Sequence, residues 1–174
     1  MRMQRYFTAS AVVLLVAGCA IPVGTSATPP STGLGASPGK YSATEARIFD
    51  LINAERRRQG LPALVYNAQL DRMAKIQAEN MARFQKMAHT IPESQLPTLG
   101  DRARYAGYRY GRLAENVALG YPNAETAVQG WMNSSGHRRN ILDGGVEETG
   151  IGIARSSAGG LYYCQVFGRR LTAP

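Results

Sequence analysis

A stretch rich in proline, glycine, serine and threonine between residues 20 and 40 does most to constrain what this chain can fold into. It holds Pro22, Pro29, Pro30 and Pro38, carries one charge, Lys40, and shows no hydrophobic period. Such a composition buries too little apolar surface to fold and reads as a flexible, partly extended linker. Downstream there is no second linker and no internal repeat, so residues 41–174 are expected to form one folded unit. That length can bury a core without metals or a mesh of disulfides. Of the 174 residues 44% are hydrophobic, and 9 Tyr, 4 Phe and 1 Trp need somewhere to pack, which excludes disorder throughout. Two cysteines exclude a disulfide-rich scaffold and a four-cysteine zinc finger.

Upstream of the linker, Arg2 and Arg5 precede an apolar run, Ala9–Ala17, which ends at Gly18-Cys19. A basic start, a short hydrophobic stretch and small residues before a break make an export signal. The run is shorter than the roughly 18 apolar residues of a membrane-spanning helix. Val16-Ala17-Gly18-Cys19 resembles the bacterial lipobox, which implies cleavage before Cys19 and a lipid on that cysteine. The organisation expected is therefore a signal peptide over residues 1–18, a lipidated cysteine and linker over 19–40, and a domain over 41–174. Several acyl chains would hold it stably, at about 0.8 kcal/mol per buried methylene. The net charge of +8 favours anionic partners. Export sets nucleic acid aside, and the partner expected is a membrane surface, lipid, glycan or envelope protein.

The domain reads as helices followed by a hairpin. Ser42-Ala-Thr-Glu45 is a capping-box pattern. Ile48, Leu51, Ile52 and Glu55 then share a face until Gly60. Asn67 caps a second helix to about Lys86, with Leu70, Met73, Ala74, Gln77, Ala78, Met81 and Phe84 on one stripe. Arg56, Arg57, Arg58, Arg72 and Arg83 are expected on solvated faces. The segment from Arg102 to Arg112 interleaves cations with Tyr105, Tyr108 and Tyr110, and reads as a short helix and turn whose arginines face water. Asn123 opens another helix, Ser135 caps a further turn containing His137, and Asp143-Gly144-Gly145 breaks it. Thr149–Ile153 and Leu161–Phe167 are strand-like and joined by a Ser/Gly turn, and Leu113–Val117 supplies another strand. The class expected is α+β, with helices packed on the faces of a small antiparallel sheet.

Chemistry has few places to reside. The only histidines are His89 and His137, and neither a zincin signature nor a Gly-x-Ser-x-Gly elbow is present. Glu115 sits among apolar residues in Leu113-Ala114-Glu115-Asn116-Val117, so it would be half-buried and need a partner. A His–Glu–His cluster of His89, Glu115 and His137 could hold Zn²⁺ or another divalent ion, or be a hydrogen-bonded structural network. Cys164 reads as a buried strand thiol.

Leu51-Ile-Asn-Ala-Glu-Arg-Arg-Arg-Gln-Gly60, His89, Ala114-Glu115-Asn116-Val117-Ala118, Trp131-Met-Asn-Ser-Ser-Gly-His137-Arg-Arg-Asn-Ile-Leu142 and Thr149-Gly-Ile-Gly-Ile153 occur in an order that resembles the bacterial branch of the CAP superfamily. Its members include cysteine-rich secretory proteins, antigen five and plant pathogenesis-related proteins, the SCP-like extracellular domains. The resemblance implies an α-β-α sandwich with a central cleft lined by two histidines and two acids. His89, Glu115 and His137 match three of those positions, and the fourth falls on Ser134. His89 and His137 are the metal ligands the resemblance would imply, with no residue assigned to catalysis beyond the candidate Glu115.

Three functions follow as expectations. The first is a non-enzymatic, lipid-anchored module of the cell envelope that binds lipid, glycan or an envelope protein. The second is a metal-assisted hydrolase, a peptidase or cell-wall enzyme, with Glu115 as ligand or general base. In the third, the polar cluster is purely structural within an interaction protein.

Overall fold

The computed structural model describes residues 42–171. The export signal, Cys19 and the linker expected from the sequence lie outside the described residues. Among those described, no helix is long and apolar enough to cross a membrane.

The elements in order are α1 (Ala43–Arg58), β1 (Val65–Tyr66), α2 (Ala68–Phe84), α3 (Leu99–Ala106), β2 (Tyr110–Leu119), α4 (Ala124–Asn133), α5 (Ser135–Ile141), β3 (Glu148–Arg155) and β4 (Leu161–Arg170). Local chemistry accounts for most boundaries. Ser42 and Glu45 form the reciprocal capping box of α1, and Asn67 and Asn123 accept from the first turns of α2 and α4. Beyond α1 the chain turns at Gly60, whose φ of 71° suits a residue without Cβ. The expected cap at Ser135 is one residue late: Ser134 occupies the N-cap of α5, and its side chain makes no capping bond. That junction is a kink between two abutting helices, with Ser134 N bonded back to Trp131 O at 3.1 Å.

The sheet runs β1-β3-β4-β2. β2, β4 and β3 are antiparallel as expected, and the two-residue β1 adds a parallel edge to β3, which makes the sheet mixed. Alternation along β4 sorts the two cores. Tyr163 and Phe167 pack with Ile48, Ile52, Trp131 and Ile141 on the side of α1, α4 and α5. Tyr162, Cys164 and Val166 pack with Leu70, Met73, Ala78 and Met81 on the side of α2 and α3. The result is the three-layer α-β-α sandwich. Helix α2 lies directly on β3 because Gly150 and Gly152 face it: a Cβ at Gly150 would meet Asp71 N at 1.9 Å.

Two arginines expected on solvated faces are core residues. Arg56 is 1% exposed and Arg102 is fully buried. Arg56 donates to the carbonyls of Pro62 (2.9 Å), Ile141 (2.8 Å) and Asp143 (2.8 Å), and so ties the end of α1 to the loop after α5. Those carbonyls belong to turns with no ladder partner, and a planar guanidinium satisfies several at once.

Candidate functional site

The site is built where the outer edge strand β2 meets the loop after α2, helix α3 and helix α5. Alternation turns Glu115 toward α2 and α3, and Asn116 to the opposite side. The carboxyl of Glu115 is 3% exposed, and three groups converge on it. Arg102 Nη2 donates to Oε2 at 2.7 Å, His89 Nδ1 lies 3.0 Å from Oε1, and Cys164 Sγ donates to Oε2 at 3.4 Å.

Each partner is held in turn. Gln85, at φ 50°, ends α2 with a left-handed turn and sends the chain back toward the sheet. The buried Gln77 of α2 then donates to Ala88 O at 2.5 Å, which fixes the residue before His89. Arg102 also reaches His89 O at 3.4 Å, so one guanidinium braces both the histidine backbone and its carboxylate partner. A carboxylate only accepts, so the bond to Glu115 places the proton on His89 Nδ1 and leaves Nε2 outward. The imidazole is 57% exposed.

His137 stands on α5, which closes the open edge of β2. Asn116 Nδ2 donates to His137 O at 3.1 Å, and Asn140 Nδ2 donates to Glu115 O at 3.2 Å and Asn116 Oδ1 at 2.9 Å. Trp131 Nε1 donates to Val117 O at 3.2 Å. The edge carbonyls of β2 are thus satisfied by side chains in place of a further strand.

The two imidazoles are electrostatically coupled and respond in opposite directions. The hydrogen bond to Glu115 raises the pKa of His89, against the effect of its burial. Burial lowers that of His137, and a charge on His89 lowers it further. Burial, followed by the nearby Glu115 charge, pushes the Cys164 thiol well up, which makes it inert at neutral pH.

Of the residues singled out from sequence, His89 and Glu115 are bonded to one another, and His137 lies close enough to feel the charge on His89. Ser134 makes no side-chain hydrogen bond as the α5 cap. A resident zinc site needs three or four protein ligands. Glu115 has one oxygen committed to His89 and the other to Arg102 and Cys164, and Ser134 carries no carboxylate, which leaves two imidazoles. Among the described residues no group of three or more His, Cys, Asp or Glu is placed to hold a metal ion. The residues therefore do not fit a resident divalent metal, and both oxygens of Glu115 already accept hydrogen bonds.

Sequence reasoning missed Arg102, Asn116 and Asn140. For Arg102 the signal was its helical spacing: Leu99, Arg102, Ala103 and Ala106 fall on one face of α3, while Arg104 and Tyr105 point away. The two asparagines stand within the motifs that carry the resemblance, but being uncharged they gave no sign of a site role of their own.

Comparison with known proteins agrees with this architecture. Residues 49–167 match the model of CAP, the cysteine-rich secretory protein family. The chain is 34% identical over 122 residues to the uncharacterized protein YkwD of Bacillus subtilis, covering 70% of this chain and 47% of that protein. It is 30% identical over 129 residues to the uncharacterized membrane protein YlbC of the same organism, covering 74% of this chain and 35% of that one. The chain thus spans less than half the length of either relative. An extracellular protein containing an SCP domain from Bacillus anthracis superposes with a TM-score of 0.67 at 32% identity, over 73% of this chain and 40% of that one. An outer surface protein of Borrelia burgdorferi superposes with a TM-score of 0.66 at 19% identity, over 75% of this chain and 97% of that one, a likeness of fold alone. With its motifs in order, its sandwich intact and most of its folded length matched, the chain belongs to the CAP, or cysteine-rich secretory protein, family.

Proposed function

We propose that this chain is an exported, lipid-anchored CAP-domain protein of the bacterial cell envelope that binds a partner and performs no catalysis. The partner class is lipid, glycan or another envelope protein. The observation that carries this reading is the Arg102–Glu115 pair, with both side chains out of water and 2.7 Å apart. It neutralises Glu115 and leaves two imidazoles, His89 and His137, as recognition groups. The similar protein from Bacillus anthracis, described as an extracellular protein, supports the export part of the reading. The lipobox-like Val16-Ala17-Gly18-Cys19 supports the anchor.

The test measures saturable binding of the purified chain to membrane lipid vesicles, isolated cell-wall glycan and solubilised envelope proteins, beside assays for peptide, ester and glycan hydrolysis. Binding to one of the three, weakened in a His89→Ala/His137→Ala variant, with hydrolysis at background, is the expected result. Turnover that disappears in Glu115→Gln, or no binding to any of the three, would overturn the reading. Acyl labelling in cells that is lost in Cys19→Ala tests the anchor separately.

A further inference from the structure

The end of the sheet where β2 begins and β4 finishes is chemically unlike the rest of the surface. Six large hydrophobic side chains stand exposed among the described residues, and three gather here: Tyr105 (54%), Tyr110 (43%) and Leu171 (54%). Tyr110 and Leu171 flank a shallow hollow of about 420 Å³ floored by Gly107 and Tyr108, with Arg104 and Arg109 at its rim. The backbone sets this arrangement, because Leu171 N donates to Arg109 O at 3.1 Å and Tyr110 pairs with Arg170.

Arginines stand against the aromatic rings at this end. Arg72 lies 4.6 Å from the centre of the Tyr105 ring and donates to its hydroxyl at 3.0 Å. Arg170 lies 5.1 Å from the centre of the Tyr108 ring. Arg109 is exposed and makes no side-chain hydrogen bond or ion pair among the described residues. The acids at this end are Asp101, bonded to Arg104 and Thr98, Glu148, taken by Tyr108, Asn67 and Arg170, and the exposed Glu147. Against Arg72, Arg104, Arg109 and Arg170 they leave the end positive.

We infer that this end of the domain docks onto an anionic lipid surface. Exposed Tyr and Leu flanked by long cationic side chains suit the headgroup layer: the rings and the aliphatic stems sit at the boundary while guanidinium groups meet phosphate. Here the Tyr108 hydroxyl already donates to Glu148 at 2.7 Å, so the hollow offers charge and apolar surface. The inference goes beyond the cleft and rests on the envelope-facing part of the reading above. An anchor at Cys19 would make docking intramolecular, so a weak patch suffices.

The experiment uses the full chain carrying Cys19→Ala, so that no acyl chain contributes, and co-sedimentation with phosphatidylcholine vesicles with or without phosphatidylglycerol. The reference chain should bind the anionic vesicles more tightly than the neutral ones, and less so as salt is raised. Arg104→Glu/Arg109→Glu and Tyr110→Ser/Leu171→Ser should each weaken that binding about tenfold or more. Leu119→Ser, an exposed apolar position at the opposite end of β2, should leave it unchanged, and the patch variants should keep any glycan or envelope-protein binding made through His89 and His137, which separates failure here from failure of that reading. Equal binding by reference and patch variants, or equal binding to neutral and anionic vesicles, would overturn the inference. So would binding to a soluble acidic polysaccharide with none to vesicles.

Discussion

Arg102 is the residue whose replacement tests the site most severely. Arg102→Met keeps the length and the apolar stem but removes the charge from a position with no exposure, facing a carboxylate that is 3% exposed. Breaking a buried pair by deleting one partner costs about 3–5 kcal/mol, because the other charge is left unpaired. Three more contacts disappear with it, the longer bonds at 3.4 Å to Leu96 O, Pro97 O and His89 O. His89 works in the opposite direction, since a protonated imidazole at 3.0 Å from Oε1 can take up part of the charge. The expected loss is therefore about 3–4 kcal/mol, toward the lower part of that range.

For a domain of about 130 residues, with unfolding entropy near 2.1 cal/mol/K per residue, such a loss lowers Tm by roughly 11–15 °C. Circular dichroism melts and urea titrations at pH 7 measure it. Arg102→Met/Glu115→Gln should recover most of the loss, because the stranded charge is gone and the amide can still bond Cys164 and His89. A single-variant cost below about 1 kcal/mol, or a double variant no more stable than the single, would refute the claim that this pair is what organises the cleft.

Gly150→Ala should cost at least about 3 kcal/mol, because its Cβ would stand 1.9 Å from Asp71 N and 2.2 Å from Leu70 C, and α2 must move off the sheet to admit it. Gly136→Ala, with nothing within 4 Å of its Cβ, is the control and should be neutral or slightly stabilising in a thermal melt. In an NMR titration of the two imidazoles His89 should lose its proton at higher pH than His137. The signs for stability follow: the His89 contribution is complete below the ordinary imidazole pKa and is lost as pH rises through its raised value. That of His137 is present above the ordinary value and is lost as pH falls through its lowered one. Reversed titration order, or no upward movement of His137 in His89→Ala, would count against the coupling.

Local signals carried most of the fold. The capping residues Ser42, Asn67 and Asn123, the stripe on α2 and the turn between β3 and β4 act within a few residues of themselves, and they could be read without knowing the topology. Thr98 and Asp101 form a second capping box by the same chemistry, and this one went unread because no apolar run follows so short a helix. The parallel β1 was not legible at all: two residues carry no period, and Val65–Tyr66 is a strand only because Glu148 and Thr149, 83 positions away, pair with it.

The polar residues of the site divide along a related line. Glu115 declared itself, since a carboxyl among apolar neighbours in a strand must find a partner. Arg102 hid among Arg104, Arg109 and Arg112, where composition argues for solvent and only the spacing on α3 argues for the core. Arg56 hid in the same way, although Ile48, Ile52 and Arg56 recur every four residues along one face of α1 and are all buried. In both cases a long cationic side chain follows the apolar stripe inward and ends on oxygen atoms that the backbone cannot satisfy by itself. In Arg56 these are carbonyls of the loop after α5, and in Arg102 they are the carboxylate of β2 and the carbonyl of His89. Stripe position therefore outranks residue type in deciding burial here, and the cleft follows from it. Once Arg102 lies on the inner face of α3, Glu115 is paired within the core, and the half-exposed ring of His89 is the part of this cluster that reaches the surface.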